Sequence, residues 1–68
     1  MKTSPIRQWR NDHDVTLAAL AAQLGVQIIT VWRWERGRLP GRAFWPKIEA
    51  VTGITAAELV THYTGVPA

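Results

Sequence analysis

Gly25 constrains the fold of this chain more than any other residue, because it separates two short apolar segments that both repeat with a helical period. The segment before it has one apolar helix face, formed by Leu17, Leu20, Ala21 and Leu24. The period restarts after Val26, with Val31 and Trp34 predicted to face inward. Since glycine readily adopts the left-handed backbone that ends a helix, this pattern predicts two short helices joined by a tight turn.

Three further helices are predicted around this pair, and no segment alternates in the way a half-buried β-strand does. Ser4-Pro5 is an N-cap and first-turn signal for the first helix. Pro46 has no N–H and therefore fits only within a first turn, which places the start of the fourth helix near Arg42. Residues 55–58 have the spacing of a capping box and open the fifth helix. The predicted fold class is all-α, with five helices in a compact arrangement.

The length of 68 residues fits one domain, predicted to span residues 1–68 with the two-helix motif at 16–37 and a flexible tail at 64–68. A hydrophobic share of 47% supplies enough apolar side chains for a small core.

Because the chain has no Cys, disulfides and thiolate metal sites are excluded, and a cytoplasmic location is expected. Residues 1–10 lack the apolar stretch of a secretory signal, and the apolar stretch at 15–22 is too short for a membrane span.

Charge is distributed unevenly along the sequence. All eight basic residues lie in residues 1–47, which also carry three acids and have a net charge of +5, whereas residues 48–68 have a net charge of −2. The predicted second and third helices have no carboxylate in their first turns, and the positive end of a helix attracts anions. A phosphate partner would suit both features. An ordinary basic surface, with chance placement of only five acids, would also explain them.

The third helix is predicted to carry large side chains on its outer face as well as its inner one. A helical wheel places Ile29, Trp32, Arg33 and Arg36 on the outer side, with Ile28 at the edge. The inner side carries Gln27, Thr30, Val31 and Trp34. In a DNA major groove, Arg33 would suit guanine O6 and N7, and Ile28 or Ile29 would suit a thymine methyl. Arg36 and Arg38 would suit phosphates. The alternative is that the three apolar side chains are buried against the fourth helix or a partner subunit.

Glu35 is the only acid between residues 15 and 48, and it lies among Arg33, Arg36 and Arg38. Because a free carboxylate would repel a phosphate backbone, we expect its charge to be neutralised within the chain. Arg10 is one candidate, through a bidentate pair that would tie the first helix to the third. A solvated local pair with Arg33 or Arg38 is the alternative.

The sequence contains no pattern typical of a catalytic or metal-binding site. Three consecutive residues, Asp12-His13-Asp14, cannot converge on one ion from a regular backbone, so a solvated turn is expected there. His62 is interpreted as a surface or dimer-contact residue, and Val60 and Tyr63 are candidates for a subunit contact. No nucleophile–base pair or glycine-rich phosphate loop is found, so we expect no enzyme activity, no metal or other cofactor and no small-molecule substrate.

Two segments, TLAALAAQLGV at 16–26 and TVWRWERGR at 30–38, together with Pro40, resemble the helix-turn-helix of the Cro and phage-repressor (XRE-type) family. The resemblance covers residues 6–60. The second half of the chain is similar to the YdaS-like Cro branch, at residues 40–46, 48–49, 52–53 and 55–59.

The resemblance implies a transcriptional regulator, often prophage-derived, that binds double-stranded DNA as a homodimer on a two-fold operator in the cytoplasm of a bacterial or phage-infected cell, associated with the nucleoid. Together with the helical wheel, it assigns base reading to Gln27, Ile28, Ile29, Trp32 and Arg33. Phosphate contacts are assigned to Thr16, Leu17, Arg36, Arg38 and Arg42. It also implies an internal ion pair between Arg10 and Glu35.

The chain departs from the family pattern at three places. Gln27 stands where the recognition helix usually has a Ser or Thr cap, and Ile28 and Ile29 replace more common polar readers, so the preferred base sequence cannot be transferred from the family. Asp14 replaces the usual Gly after the first helix, a change that Asp tolerates because it enters the left-handed region more readily than most residues.

Two other functions also fit the sequence. One is a protein-interaction module, such as an antitoxin or assembly adaptor, that would use the Ile28, Ile29 and Trp32 patch. The other is an accessory protein in DNA recombination or packaging.

Overall fold

The computed structural model describes residues 3–65, which form five α-helices and one 3₁₀ turn. The elements are α1 (Pro5–Asp12), α2 (Leu17–Leu24), α3 (Ile28–Glu35), the 3₁₀ turn (Arg42–Phe44), α4 (Trp45–Thr52) and α5 (Ala56–Thr64). This part of the chain contains no strand. The predicted all-α fold with five helices is confirmed.

Polar side chains begin three of the helices at the positions that the sequence predicts. Ser4 and Thr16 each accept a hydrogen bond from the backbone N–H three residues later, at 3.0 and 3.1 Å. Thr55 and Glu58 form a capping box at the start of α5. A side-chain cap of this kind stabilises a helix by about 1 kcal/mol relative to alanine. Asp14, after α1, adopts the left-handed backbone with φ of 56°.

The fourth helix begins at Trp45 rather than near Arg42. Residues 42–44 instead form the 3₁₀ turn, in which the Phe44 N–H donates to the Gly41 carbonyl at 2.9 Å. Pro46 explains the difference: it has no N–H to donate to the Arg42 carbonyl, so α-helical hydrogen bonding cannot begin at that residue.

The core lies where all five helices meet. Helix α3 packs against α1 and α2, and α5 packs against α1 and α4. The hydrophobic core cluster among the described residues is formed by Ile6, Leu20, Ala21, Leu24, Val31, Trp34, Ile48, Ile54 and Leu59. Full burial of a large apolar side chain contributes roughly 1.5–3 kcal/mol to folding. This cluster therefore fixes the position of α3 and which of its faces points to solvent.

The end of α5 is held against the end of α3. The Tyr63 hydroxyl donates a hydrogen bond to the Trp34 carbonyl, and Thr64 is the last residue of the helix. Gly65 follows with φ of 72°, and the rest of the predicted flexible tail, residues 66–68, lies outside the described residues.

Within residues 3–65, no single helix is long and apolar enough to cross a membrane; α2 and α3 reach that length and composition only as a pair, with a bend of 109° between them.

Candidate nucleic-acid interface

The turn between α2 and α3 sets the direction of α3. Gly25 adopts φ of 70° and donates to the Ala22 carbonyl at 3.2 Å, while the Val26 N–H donates to the Ala21 carbonyl at 3.0 Å. These two bonds form a Schellman motif, which requires a left-handed residue at position 25. A Cβ atom at Gly25 would also lie 3.2 Å from Lys47 Nζ. The resulting bend of 109° lies within the range of about 90–120° found when two helices are joined by a short turn.

Helix α3 turns one face to the core and the other to solvent. Val31 is fully buried and Trp34 is 4% exposed. On the opposite face the exposed fractions of Ile28, Ile29 and Trp32 are 51%, 45% and 41%. These three side chains are therefore not buried against α4, which removes one of the alternatives left by the sequence. The other alternative, burial of these side chains against a partner subunit, remains compatible with their exposure in a single chain.

Exposed arginines accompany this apolar surface. Arg33 and Arg36 are exposed at the end of α3, and Arg38 and Arg42 are exposed in the segment that follows. The backbone folds back here, since the Arg38 N–H donates to the Arg33 carbonyl at 3.1 Å. An open cleft of about 200 Å³ lies beside the helix and is lined by Thr30, Arg33, Trp34 and Arg38.

Glu35 is paired with Arg10. Arg10 Nε donates to Glu35 Oε2 at 2.9 Å and Arg10 Nη2 donates to Glu35 Oε1 at 3.0 Å, so both carboxylate oxygens are bonded. The two side chains are only 17% and 8% exposed, and Arg10 Nη1 also donates to the Val15 carbonyl at 3.2 Å. The hydrogen bond to Glu35 raises the pKa of Arg10 above its ordinary value. The negative charge of α3 is thus neutralised from α1 rather than by the neighbouring Arg33 or Arg38.

The amino ends of α2 and α3 both lack an acidic residue in the first turn. At α2, Thr16 is exposed, and Leu17 is half-buried and packs against the core. At α3, Gln27 occupies the N-cap position with an exposed side chain that makes no capping hydrogen bond. Backbone N–H groups at a helix start, uncompensated by a carboxylate, favour an anion.

A hydrogen bond from Trp45 stabilises the segment after α3. Trp45 Nε1 donates to the Pro40 carbonyl at 2.8 Å, and the Arg42 guanidinium carbon lies 5.9 Å from the centroid of the Trp45 ring. This bond fixes the chain between α3 and α4, so Arg42 is presented from a supported backbone.

Comparison with known families identifies this arrangement. The helix-turn-helix family model matches residues 6–59, which is most of the chain. The chain belongs to the XRE-type helix-turn-helix family. No curated protein and no solved structure matches the chain significantly.

In this helix-turn-helix, α2 and α3 are the two helices of the motif, and α3 is the recognition helix. The family is one of DNA-binding regulator domains that are not typically enzymatic, and membership supports binding to double-stranded DNA. The match does not distinguish the YdaS-like branch from others.

The structure places the ten sequence-predicted interface residues in two groups. Along α3 and its N-cap lie the predicted base readers Gln27, Ile28, Ile29, Trp32 and Arg33, all of them exposed. At the start of α2 and beyond the end of α3 lie the predicted phosphate contacts Thr16, Leu17, Arg36, Arg38 and Arg42; of these only Leu17 is half-buried.

Sequence reasoning missed three contacts near this helix-turn-helix. The Arg36 guanidinium carbon lies 4.6 Å from the centroid of the Trp32 ring, a contact that the i, i+4 spacing could have suggested. Lys47 approaches Gly25 from α4, and no local signal predicts that approach. Tyr63 donates to the Trp34 carbonyl and is half-buried against its own chain, and burial raises its pKa to about 12.

The polar turn after α1 has a packing role. The His13 ring stacks on Trp9 with centroids 4.5 Å apart, and His13 Nδ1 lies 2.9 Å from the Trp9 carbonyl oxygen. Across residues 3–65, no group of three or more His, Cys, Asp or Glu side chains is placed to hold a metal ion.

Proposed function

We propose that this chain is a sequence-specific transcriptional regulator, Cro- or repressor-like and of prophage origin, that inserts α3 into the DNA major groove. The observation that supports this most strongly is the outer face of α3. Exposed apolar side chains lie there beside exposed arginines, and the one carboxylate of the helix is bonded to Arg10.

The dimensions of α3 suit a groove. An α-helix with its side chains is about 10–12 Å in diameter. The major groove of B-DNA is about 12 Å wide and therefore admits one α-helix. With the inner face held by Val31 and Trp34, only the outer face is available to enter it.

Discrimination between bases is assigned to Gln27, Ile28, Ile29, Trp32 and Arg33. Arg33 is a planar donor that matches guanine O6 and N7 in a bidentate bond. Ile28 and Ile29 lie at the amino end of α3, from which recognition helices contact base edges. Their branched apolar side chains fit the thymine 5-methyl, the apolar group on the major-groove edge of unmodified DNA.

Affinity is assigned mainly to the phosphate backbone. The contacts proposed are Thr16 and Leu17 at the start of α2, and Arg36, Arg38 and Arg42. Each phosphate that a cation neutralises adds about 0.9 to the slope of log affinity against log salt concentration, so binding should weaken steeply with salt.

The biological unit we propose is a homodimer on a two-fold operator, built from one domain per chain over residues 1–68. It works in the cytoplasm on the nucleoid and needs no metal, other cofactor or small-molecule substrate. Membership in the YdaS-like branch is part of this proposal, since it rests on the sequence resemblance.

The test is binding to a duplex selected from a random pool, compared with a mixed-sequence competitor. Arg33→Ala should lower the affinity for the selected site by about 1–3 kcal/mol and reduce the preference over the competitor. Arg7→Ala is the matched control, because Arg7 is an exposed arginine on α1 that lies outside the proposed interface. Unchanged binding of both duplexes by Arg33→Ala would refute the role assigned to this residue.

A protein-interaction module is the second candidate, favoured by the exposure of Ile28, Ile29 and Trp32. Salt separates the two functions. Docking through an apolar patch should persist at about 0.5 M salt, whereas binding to a phosphate backbone should not.

A further inference from the structure

Trp32 and Arg36 contact each other on the outer face of α3. The guanidinium carbon of Arg36 lies 4.6 Å from the centroid of the Trp32 ring, and Trp32 keeps 41% of its surface exposed. This distance is well within the range of about 6 Å in which a cation is attracted to the face of an indole.

The backbone at the end of α3 holds the two residues in register. Arg36 is the C-cap, and its N–H donates to the carbonyls of Trp32 and Arg33, both at 3.1 Å. Residues four apart on a helix are neighbours on its surface, so this bond brings the arginine stem alongside the ring. The contact therefore depends on well-ordered helix geometry and not on a mobile loop.

The cation–π contact orients the guanidinium without forming a hydrogen bond to an acceptor. The group carries five N–H donors, and its central carbon lies over the ring. Among the described residues the ion pair with a carboxylate is formed by Arg10, so Arg36 has no acidic partner there. Its donors remain available to an external anion.

The position of the pair on α3 favours a phosphate over a base. In a recognition helix the amino-terminal residues contact base edges, and Arg36 lies at the opposite end of the helix. One face of the Trp32 ring is covered by the guanidinium, which leaves the indole less surface to offer a base.

We propose that Trp32 is a positioning residue that holds the Arg36 guanidinium towards a DNA phosphate, and that it does not itself read a base. This inference rests on the proposed DNA-binding function, and it replaces the base-reading role given to Trp32 in that proposal.

The experiment is a double-mutant cycle with Trp32→Ala, Arg36→Ala and the double variant, each checked by thermal melting. Binding is measured on the selected duplex and on a mixed-sequence duplex, from about 50 to 200 mM salt. Arg36→Ala should reduce the steepness of the salt dependence by about 0.9. Trp32→Ala should weaken binding about two- to fivefold when Arg36 is present, the size of an exposed cation–π contact, and by less than about twofold when it is absent.

Two further variants separate the ring face from apolar bulk. Trp32→Tyr keeps an aromatic face and should retain most of the affinity, whereas Trp32→Leu keeps apolar surface and should behave like Trp32→Ala. Both preserve a large side chain on an exposed site, so they remain informative if Trp32→Ala proves unstable.

Arg38 provides the control arginine, because it is also exposed but lies six residues after Trp32, outside the i, i+4 spacing that brings Arg36 to the ring. The losses caused by Trp32→Ala and Arg38→Ala should therefore add.

The inference is overturned if Trp32→Ala costs the same affinity with and without Arg36, since the ring would then act independently of the arginine. It is also overturned if the cost appears only on the selected duplex, since that result means direct base contact. Failure of the proposed function gives a different result: the wild-type chain would then bind neither duplex in a salt-dependent way.

Discussion

The ion pair of Glu35 affects both the packing of α3 and the charge of its surface. Its bidentate bond to Arg10 connects α3 to α1, and it also removes a negative charge from the helix that carries the exposed arginines. A buried carboxylate that loses its partner, or an arginine that loses its carboxylate, is left with an uncompensated charge. The pair is therefore expected to matter for stability before it matters for binding.

Glu35→Ala should lower the free energy of unfolding by about 2–4 kcal/mol, because it leaves the charge of the largely buried Arg10 guanidinium without a partner. Urea or thermal unfolding measures this. Glu49→Ala is the matched control, since Glu49 is an exposed carboxylate on α4. If the two variants melt together, the ion pair contributes no more than an exposed one.

Tyr63 predicts a loss of stability in strong alkali. Burial raises its folded-state pKa to about 12, above the ordinary value of 10.0. Because the unfolded chain releases the phenol proton at lower pH, the stabilisation is complete below about pH 10 and is lost as the pH rises towards 12.

Unfolding by urea as a function of pH measures this effect, and Tyr63→Phe supplies the reference for other groups that titrate in the same range. The wild type should lose stability relative to Tyr63→Phe between about pH 10 and 12. Parallel curves for the two proteins would show that the phenol is not shielded in the folded state.

At the scale of the element, α3 is a helix whose position depends on its inner face. It lacks a side-chain N-cap, and Ile28 and Ile29 in its first turn are exposed. The burial of Val31 and Trp34 holds it in place. Because the buried face holds the helix, Ile28 and Ile29 can remain exposed at its amino end. Exposed apolar side chains add little to the stability of the free protein, so their place here favours contact with a ligand.

Replacing thymine by deoxyuridine in the selected site tests what those side chains contact. Removal of one 5-methyl group that packs on Ile28 or Ile29 should weaken binding about fourfold, the value of about 0.8 kcal/mol for one buried carbon. Competition binding with single replacements across the site measures it.

The Ile28→Ala and Ile29→Ala variants are the controls, since each should bind thymine and uracil versions of its contacted position almost equally. Equal affinity of the wild type for every replaced duplex would exclude methyl recognition while leaving groove binding intact.

At the scale of the whole molecule, the basic residues and the recognition helix belong to the same part of the chain. All eight Lys and Arg precede residue 48, whereas Glu49 and Glu58 lie on α4 and α5. This distribution of charge favours an approach to a polyanion through the part of the chain that contains α3.

A homodimer on two-fold DNA predicts the form of the selected sites. Two inverted half-sites should appear with centres about one helical turn apart, roughly 10–10.5 base pairs, because the two recognition helices must enter successive major grooves on one side of the duplex. Sequencing of the selected pool shows the spacing, and sedimentation of the complex gives the stoichiometry. Single asymmetric sites bound by one chain would contradict the dimer.

Much of the fold could be predicted because the signals are local. Ser4, Thr16 and Thr55 begin helices at the expected places, and Gly25 ends α2 as expected. The error at the start of α4 has a local cause as well. Pro46 was correctly interpreted as a first-turn residue, but its missing N–H also turns the residues before it into a 3₁₀ turn.

At the interface, too, local features could be predicted and long-range contacts could not. Periodicity predicted that Ile29 and Trp32 face outward with Ile28 at the edge, and the exposed fractions of all three agree with it. It was wrong for Gln27, which it placed with the inner side chains, because Gln27 is the N-cap and is exposed. It left three possible partners for Glu35, because Arg33 and Arg38 are close in sequence and Arg10 is 25 residues away. Local spacing favours the near arginines, but the packing of α1 against α3 brings the distant one within hydrogen-bond distance.

The amino-acid sequence alone determined where the helices lie, which face of each is apolar, and that α3 combines arginines with outward apolar side chains, since these properties depend on backbone preferences over a few residues. Only the tertiary structure decided that Arg10 neutralises Glu35 and that Tyr63 bonds to a carbonyl 29 residues away. Such contacts depend on how whole helices pack around Leu20, Val31 and Leu59, and the burial of those side chains, rather than any local pattern, brings distant polar groups together.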